Sequence, residues 1–220
     1  MNRATDRFAI ARSDVHHHAR RMWQSGLVVA SAGNVSRRVD DEHIAITPTF
    51  VPYESMTAEQ ISIVSLSTGS PLPDSHAPSG ELPMHLGIYR ARPDVQAIVH
   101  THAPFVTTLS VLHLPLPPVI DEMAMYFGGT IEITEYAFTG TDVIATSVLR
   151  ALGDRAGVIL ANHGNVCIGR DLDQAMHVAL TMESTARVYV QALQTREAIR
   201  PLPNDAIAAG RRIYDAKHRL

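Results

Sequence analysis

Phe8, Ala11, Val15, Ala19 and Met22 recur at three- and four-residue spacing, which predicts an amphipathic helix that Gly26 would stop. His16, His17 and His18 lie inside this pattern. Successive helical positions point about 100° apart, so the three cannot share one ion, and they are expected on the surface. Alternation then takes over. Val35 and Val39 flank polar positions, Asp40 and Asp41 signal a turn, and Ile44 and Ile46 alternate with other residues, so a β-hairpin is predicted. Residues 61–66 predict a third strand, followed by a loop of Pro, Ser and Gly that runs to Gly80. A helix is expected over 82–91, with Leu82, Leu86 and Ile88 among its apolar positions, and it leads into a strand through Val95, Ala97, Ile98 and Val99. Residues 103–112 predict another helix, and LPLPP after it an extended link. Residues 120–130 carry a Met and aromatic stripe of core character, headed by Asp121 and Glu122. A helix over 142–152 and a short buried strand over 158–160 follow. Leu172, Met176, Ala179, Met182, Ala186, Tyr189 and Leu193 share one stripe of a long helix over 171–193. Pro201 and Pro203 set off a short C-terminal segment containing Tyr214.

Composition narrows the class. At 220 residues and 45% apolar content, the chain is long enough for one domain with a full core or for two small ones. The net charge of −3 comes with no long like-charge run, so neither nucleic acid nor a polybasic membrane contact is expected. The apolar runs fall short of the roughly 18 residues of a spanning helix, and no signal-peptide core opens the chain. A soluble cytoplasmic protein is expected. Cys167 is the single cysteine, which excludes intrachain disulfides and a thiolate zinc cluster. Any metal site must use His and carboxylates.

VQAIVHTHAPF, residues 95–105, offers such ligands. Residues i and i+2 of an extended backbone share a face, so His100 and His102 project side by side from a strand end. That geometry suits chelation by neutral imidazole, although strand-end histidines can equally be wetted or hydrogen-bonded. His163 also follows a strand, in ANHG, where a turn exposes it. Three such histidines leave an open fourth position on zinc for substrate. Gly33 and Asn34 precede the predicted hairpin, and Thr47, Pro48 and Thr49 follow it, so these groups meet at one end. Backbone N–H groups with amide and hydroxyl donors make an anion nest, while turn chemistry alone would explain the same residues. Glu81 stands at the mouth of the 82–91 helix, either as a carboxylate favoured by the helix dipole or as a general acid/base near a metal.

SAGNVS, ITPT followed by VPYE, PSGELPMH, VHTHAPF and ANHG, in this order and at this spacing, resemble the class II aldolase and adducin head-domain family, above all its L-fuculose-1-phosphate aldolase branch. The likeness spans about residues 5–195. It implies an α/β fold over 1–220: a single domain with α/β/α layers around a central mixed, largely antiparallel sheet. It also implies a homotetramer with active sites between subunits. By the same resemblance His100, His102 and His163 bind one zinc per subunit, with manganese or cobalt as other candidates, and Glu81 is the acid/base that approaches the metal when substrate is absent. Gly33, Asn34, Thr49, Ser79 and Gly80 match the phosphate-binding positions.

The implied reaction is metal-dependent aldol cleavage of a phosphorylated ketose to a dihydroxyacetone-type fragment and an aldehyde, through a zinc-stabilised enediolate. No lysine lies near the motifs, which disfavours a Schiff base. Three positions depart from the branch. Phe50 replaces a glycine, Gly80 replaces a serine, and Glu122 stands where a neighbouring subunit would supply a tyrosine acid, with Tyr126 a few residues on. Burial beside Met123 and Met125 would raise the Glu122 carboxyl. The altered phosphate positions keep a zinc-dependent decarboxylase of a sugar or aromatic acid as the first alternative. A sugar-phosphate 4-epimerase, whose branch carries aspartate in place of Glu81, and a non-catalytic adducin-like scaffold come after it.

Overall fold

Alternate residues along six short strands sort to opposite faces of one sheet, and helices cover both faces. The computed structural model describes residues 3–73 and 75–218. Its elements are α1 (Arg3–Gln24), β1 (Asn34–Arg38), β2 (His43–Ile46), β3 (Ser62–Ser65), α2 (Leu82–Ala91), β4 (Ala97–Thr101), α3 (Pro104–Leu112), α4 (Asp121–Phe127), α5 (Asp142–Leu152), β5 (Gly157–Leu160), β6 (Gly164–Gly169), α6 (Leu172–Gln194) and α7 (Asn204–His218). The sheet order is β3-β2-β1-β4-β6-β5, and every pairing between named strands is antiparallel. The parallel contribution is an isolated bridge, Ile133 to Ile159.

Val35, Ala45, Ile63, Ala97, Val99, Ile159 and Cys167 face one core, which α1, α3, α4, α6 and α7 complete. Ile44, Ile46, Val64, Ile98, Val158, Val166 and Ile168 face the other, closed by α2 and α5. The period of two along the strands thus produces the layered arrangement. No helix among the described residues is long and apolar enough to cross a membrane.

Three features differ from the sequence expectation. Residues 164–169 form a strand with every position buried, although glycines bound it and Asn165 interrupts it. The buried amide is satisfied, because Asn165 accepts from the Thr101 hydroxyl at 2.6 Å and its Nδ2 lies 3.3 Å from Cys167 Sγ. The C-terminal segment is a full helix, α7, whose Tyr214 is buried and donates its hydroxyl proton to the Asp154 carbonyl at 2.8 Å. His18 is buried rather than on the surface: with Val15, Ala19 and Met22 it lies on the inward stripe of α1, hydrogen-bonded to the Asp14 carbonyl and to Asp173 of α6.

Candidate metal centre

Strand β4 aims the first candidate ligand. Ile98 packs into the α2 and α5 core, so His100, two residues on, points to that same face. On the neighbouring strand Asn34 pairs with His100 and Ser36 with Ile98, while Val35 turns to the other core. Asn34 and Ser36 therefore face α2, whose first turn begins at Glu81. His102 lies just beyond the strand, and His163 sits in the turn between β5 and β6, which brings it beside the end of β4.

The three rings form a nearly equilateral triangle, with centroids 4.9, 4.8 and 4.8 Å apart. Their ligand nitrogens lie within 4.8 Å of one another, and His100 Nε2 is 3.1 Å from His102 Nε2. Glu81 closes the group, with Oε2 2.9 Å from His100 Nε2 and Oε1 3.3 Å from His163 Nε2. His100 Nδ1 donates to the Asn165 carbonyl at 2.9 Å, which fixes the ring and directs Nε2 at the other two.

Charge follows from this packing. Burial and the neighbouring His100 push His102 down to about 3, and they push His163 down to about 4, so both present neutral imidazoles. Burial opposes a charge on His100 too, but the Glu81 carboxylate and the Asn165 carbonyl outweigh it and raise its pKa. Burial would raise Glu81; instead His100, His163 and the Thr139 hydroxyl hold it well below the usual carboxylate range. Three convergent imidazole nitrogens, two of them neutral, beside an ionised carboxylate fit a divalent ion.

Two glycines permit the close approach. A Cβ on Gly33, where φ is +72°, would lie 2.6 Å from the His100 carbonyl oxygen, and one on Gly164 would lie 2.2 Å from that of Thr101. The Tyr53 hydroxyl donates to the Gly33 carbonyl at 2.6 Å and holds the turn.

The other expected residues divide. Asn34 Nδ2 donates to Glu81 Oε2 at 2.7 Å and to Ser79 Oγ at 3.1 Å, and Gly80 adjoins both. Thr49 bonds through its N–H to the Ala77 carbonyl, two residues from Ser79. Phe50 adopts a φ of +56°, a left-handed conformation that suits glycine better, and its ring is 89% exposed. Glu122 is exposed on α4, so the single chain does not bury it beside Met123 and Met125. Tyr126 packs edge-on against His177 and under Lys217, the chain's single lysine.

Sequence reading missed Thr139, whose hydroxyl donates to Glu81 Oε1 at 2.7 Å. It lies in an irregular segment without a pattern that marks it. His85 was also missed, although its place four residues after Glu81 on a helix puts the two on one face.

The sequence matches the family described as Class II Aldolase and Adducin N-terminal domain over residues 13–190. It is 33% identical over 187 residues to an L-fuculose phosphate aldolase of Escherichia coli O6:H1, covering 85% of this chain and 86% of that one. A 3-oxo-tetronate 4-phosphate decarboxylase of Haemophilus influenzae is 33% identical over 175 residues, covering 77% and 82%. The fold superposes on a solved L-fuculose 1-phosphate aldolase with a TM-score of 0.87, at 26% identity, over 93% of this chain and 96% of the other. With its histidine triad and layered antiparallel sheet, the chain belongs to the class II aldolase and adducin N-terminal domain family.

Proposed function

We propose that this protein is a metal-dependent carbon–carbon lyase that cleaves a phosphorylated ketose by retro-aldol chemistry, with residues 1–220 acting as one domain of the family type. The observation that carries the reading is the Glu81 carboxylate, held within 3.3 Å of two of the three convergent imidazoles. A divalent ion bound by His100, His102 and His163, with zinc the choice of the family and manganese or cobalt as substitutes, supplies Lewis acidity toward a carbonyl and its neighbouring hydroxyl.

Glu81 moves the proton at the carbon next to that carbonyl. Its carboxylate, hydrogen-bonded on both oxygens, takes that proton in the condensation direction and, once protonated, gives it to the carbon after cleavage, a role worth roughly 10²- to 10⁴-fold in rate. Gly33, Asn34, Thr49, Ser79 and Gly80 hold the anionic end of the substrate through N–H and hydroxyl donors. Glu122 or Tyr126 of a neighbouring copy in a homotetramer takes the hydroxyl proton released as the carbon–carbon bond breaks and returns it in condensation; the exposed Val111 and Leu112, in a groove beside His102, favour such a neighbour. The single lysine, engaged over Tyr126, argues against a Schiff base.

Phe50 favours a second reading, decarboxylation of a sugar acid. Its exposed ring stands where the related aldolase pattern has glycine, and a decarboxylase is among the relatives. A screen of phosphorylated ketoses against sugar acids and aromatic acids, scored separately for aldehyde and carbon dioxide, decides. Aldehyde from a ketose phosphate supports the first reading, carbon dioxide the second, and release of neither overturns both.

A further inference from the structure

Glu81 and Tyr89 lie four residues to either side of His85, so all three share one face of α2, opposite Asn34 and Ser36 on β1. We propose that His85 is a positioning residue for Glu81: it fixes the orientation of the Asn34 amide and so keeps an N–H donor on the carboxylate. The proposal rests on Glu81 being the proton-transfer group.

An asparagine amide can turn over with little change of shape, and only its partners decide which end faces where. Asn34 is buried, with Nδ2 on Glu81 Oε2 and Ser79 Oγ and Oδ1 on His85 Nε2. Turned over, it would set an oxygen against an ionised carboxylate.

The remaining polarity is forced in sequence. Oδ1 can only accept, so His85 Nε2 carries a proton. His85 is fully buried, and its burial and the nearby His100 hold it down to about 3, so it is neutral and has one proton. Nδ1 therefore accepts, from the Ser36 hydroxyl at 2.6 Å. The Ser36 oxygen, its proton so engaged, accepts from the Tyr89 hydroxyl at 2.8 Å. Donation runs one way, from Tyr89 through Ser36, His85 and Asn34 to Glu81, and each member is buried up to the carboxylate. An ion held by His100, His102 and His163 would occupy the nitrogens that now face Glu81. The Asn34 amide, which is outside that ligand set, would still be there to hold the carboxylate.

The test begins with the wild-type protein loaded with zinc and labelled with 15N. Its spectrum should place the His85 proton on Nε2, with Nδ1 unprotonated; a proton on Nδ1 overturns the proposal, whatever the enzyme's substrate. His85→Leu should then slow deuterium exchange from solvent into dihydroxyacetone phosphate by roughly tenfold to a hundredfold, with zinc content unchanged. His85→Gln, which retains an N–H donor, should recover most of the rate. Wild-type exchange in folded His85→Leu overturns the proposal, as does equal loss in both variants. Undiminished exchange in Glu81→Gln removes the proton-transfer role of Glu81 instead, while the tautomer still reports on His85.

Discussion

The Cβ that Gly164 lacks would lie 2.2 Å from the carbonyl oxygen of Thr101, closer than any side-chain carbon can stand to a backbone oxygen. The β5–β6 turn therefore presses directly on the end of β4, and the spacing of His163 from His100 and His102 depends on that contact. Gly164→Ala must part the strands or shift the turn. The expected cost is roughly 1–3 kcal/mol, read as a lower urea midpoint, together with weaker metal retention. A variant as stable as the parent with full metal content would show that the site does not need this approach.

His102→Ala removes one corner of the triangle while the apolar face of α3 stays packed. Metal affinity should fall by more than the roughly 10- to 100-fold that accompanies loss of an outer partner, with circular dichroism unchanged. Elemental analysis checks it; one zinc per chain in the variant would remove His102 from the ligand set.

Glu81→Gln keeps a side chain of the same shape but no base. Zinc should remain, and turnover of the substrate found by the screen should drop by roughly 10²- to 10⁴-fold. Turnover within a few-fold of the parent would assign proton transfer elsewhere.

Glu183 of α6 caps α3 from a distance, accepting from the N–H groups of Phe105 and Val106 at 2.9 and 3.0 Å. Ala103, at the cap position itself, offers no side-chain acceptor. Glu183→Ala should cost roughly 0.5–2 kcal/mol in chemical denaturation and increase hydrogen exchange in the first turn of α3, next to His102. Unaltered exchange there would deny it a capping role.

His18 gives stability a pH dependence. Burial disfavours its charge, but hydrogen bonds to the Asp14 carboxylate and carbonyl and to Asp173 outweigh that, and its pKa is raised. Arg37 and Arg21, which pair with Asp14 and Asp173, are the cations facing it. A group raised on folding stabilises fully below its unfolded pKa of about 6.5, and the contribution is lost as pH climbs through the folded value. Urea titrations of wild type and His18→Leu should therefore differ most on the acid side and converge as the medium becomes alkaline. A gap that widens with rising pH would reverse the assignment.

Much of this arrangement can be read from the residues themselves. The stripes of α1 and α6 are long, and His100 and His102 announce themselves by their spacing on an apolar strand. β6 is harder, because Asn165 and two bounding glycines read as turn chemistry, and only the Thr101 hydroxyl shows why a buried amide is tolerated. Thr139 lies 58 residues from Glu81 in irregular chain, and no periodicity predicts that meeting. The convergence of Glu81 on the histidines depends on β1 lying beside β4, a matter of sheet order that local pattern does not encode.

His163 belongs to the turn joining β5 to β6, at the outer edge of the sheet, whereas His100 and His102 belong to its centre. A bound ion would thus act as a strut between edge and middle. Because it would bind only the assembled arrangement, a thousandfold excess over its dissociation constant would add about 4 kcal/mol against unfolding. Metal starvation in the cell would then shorten the protein's life under proteolysis.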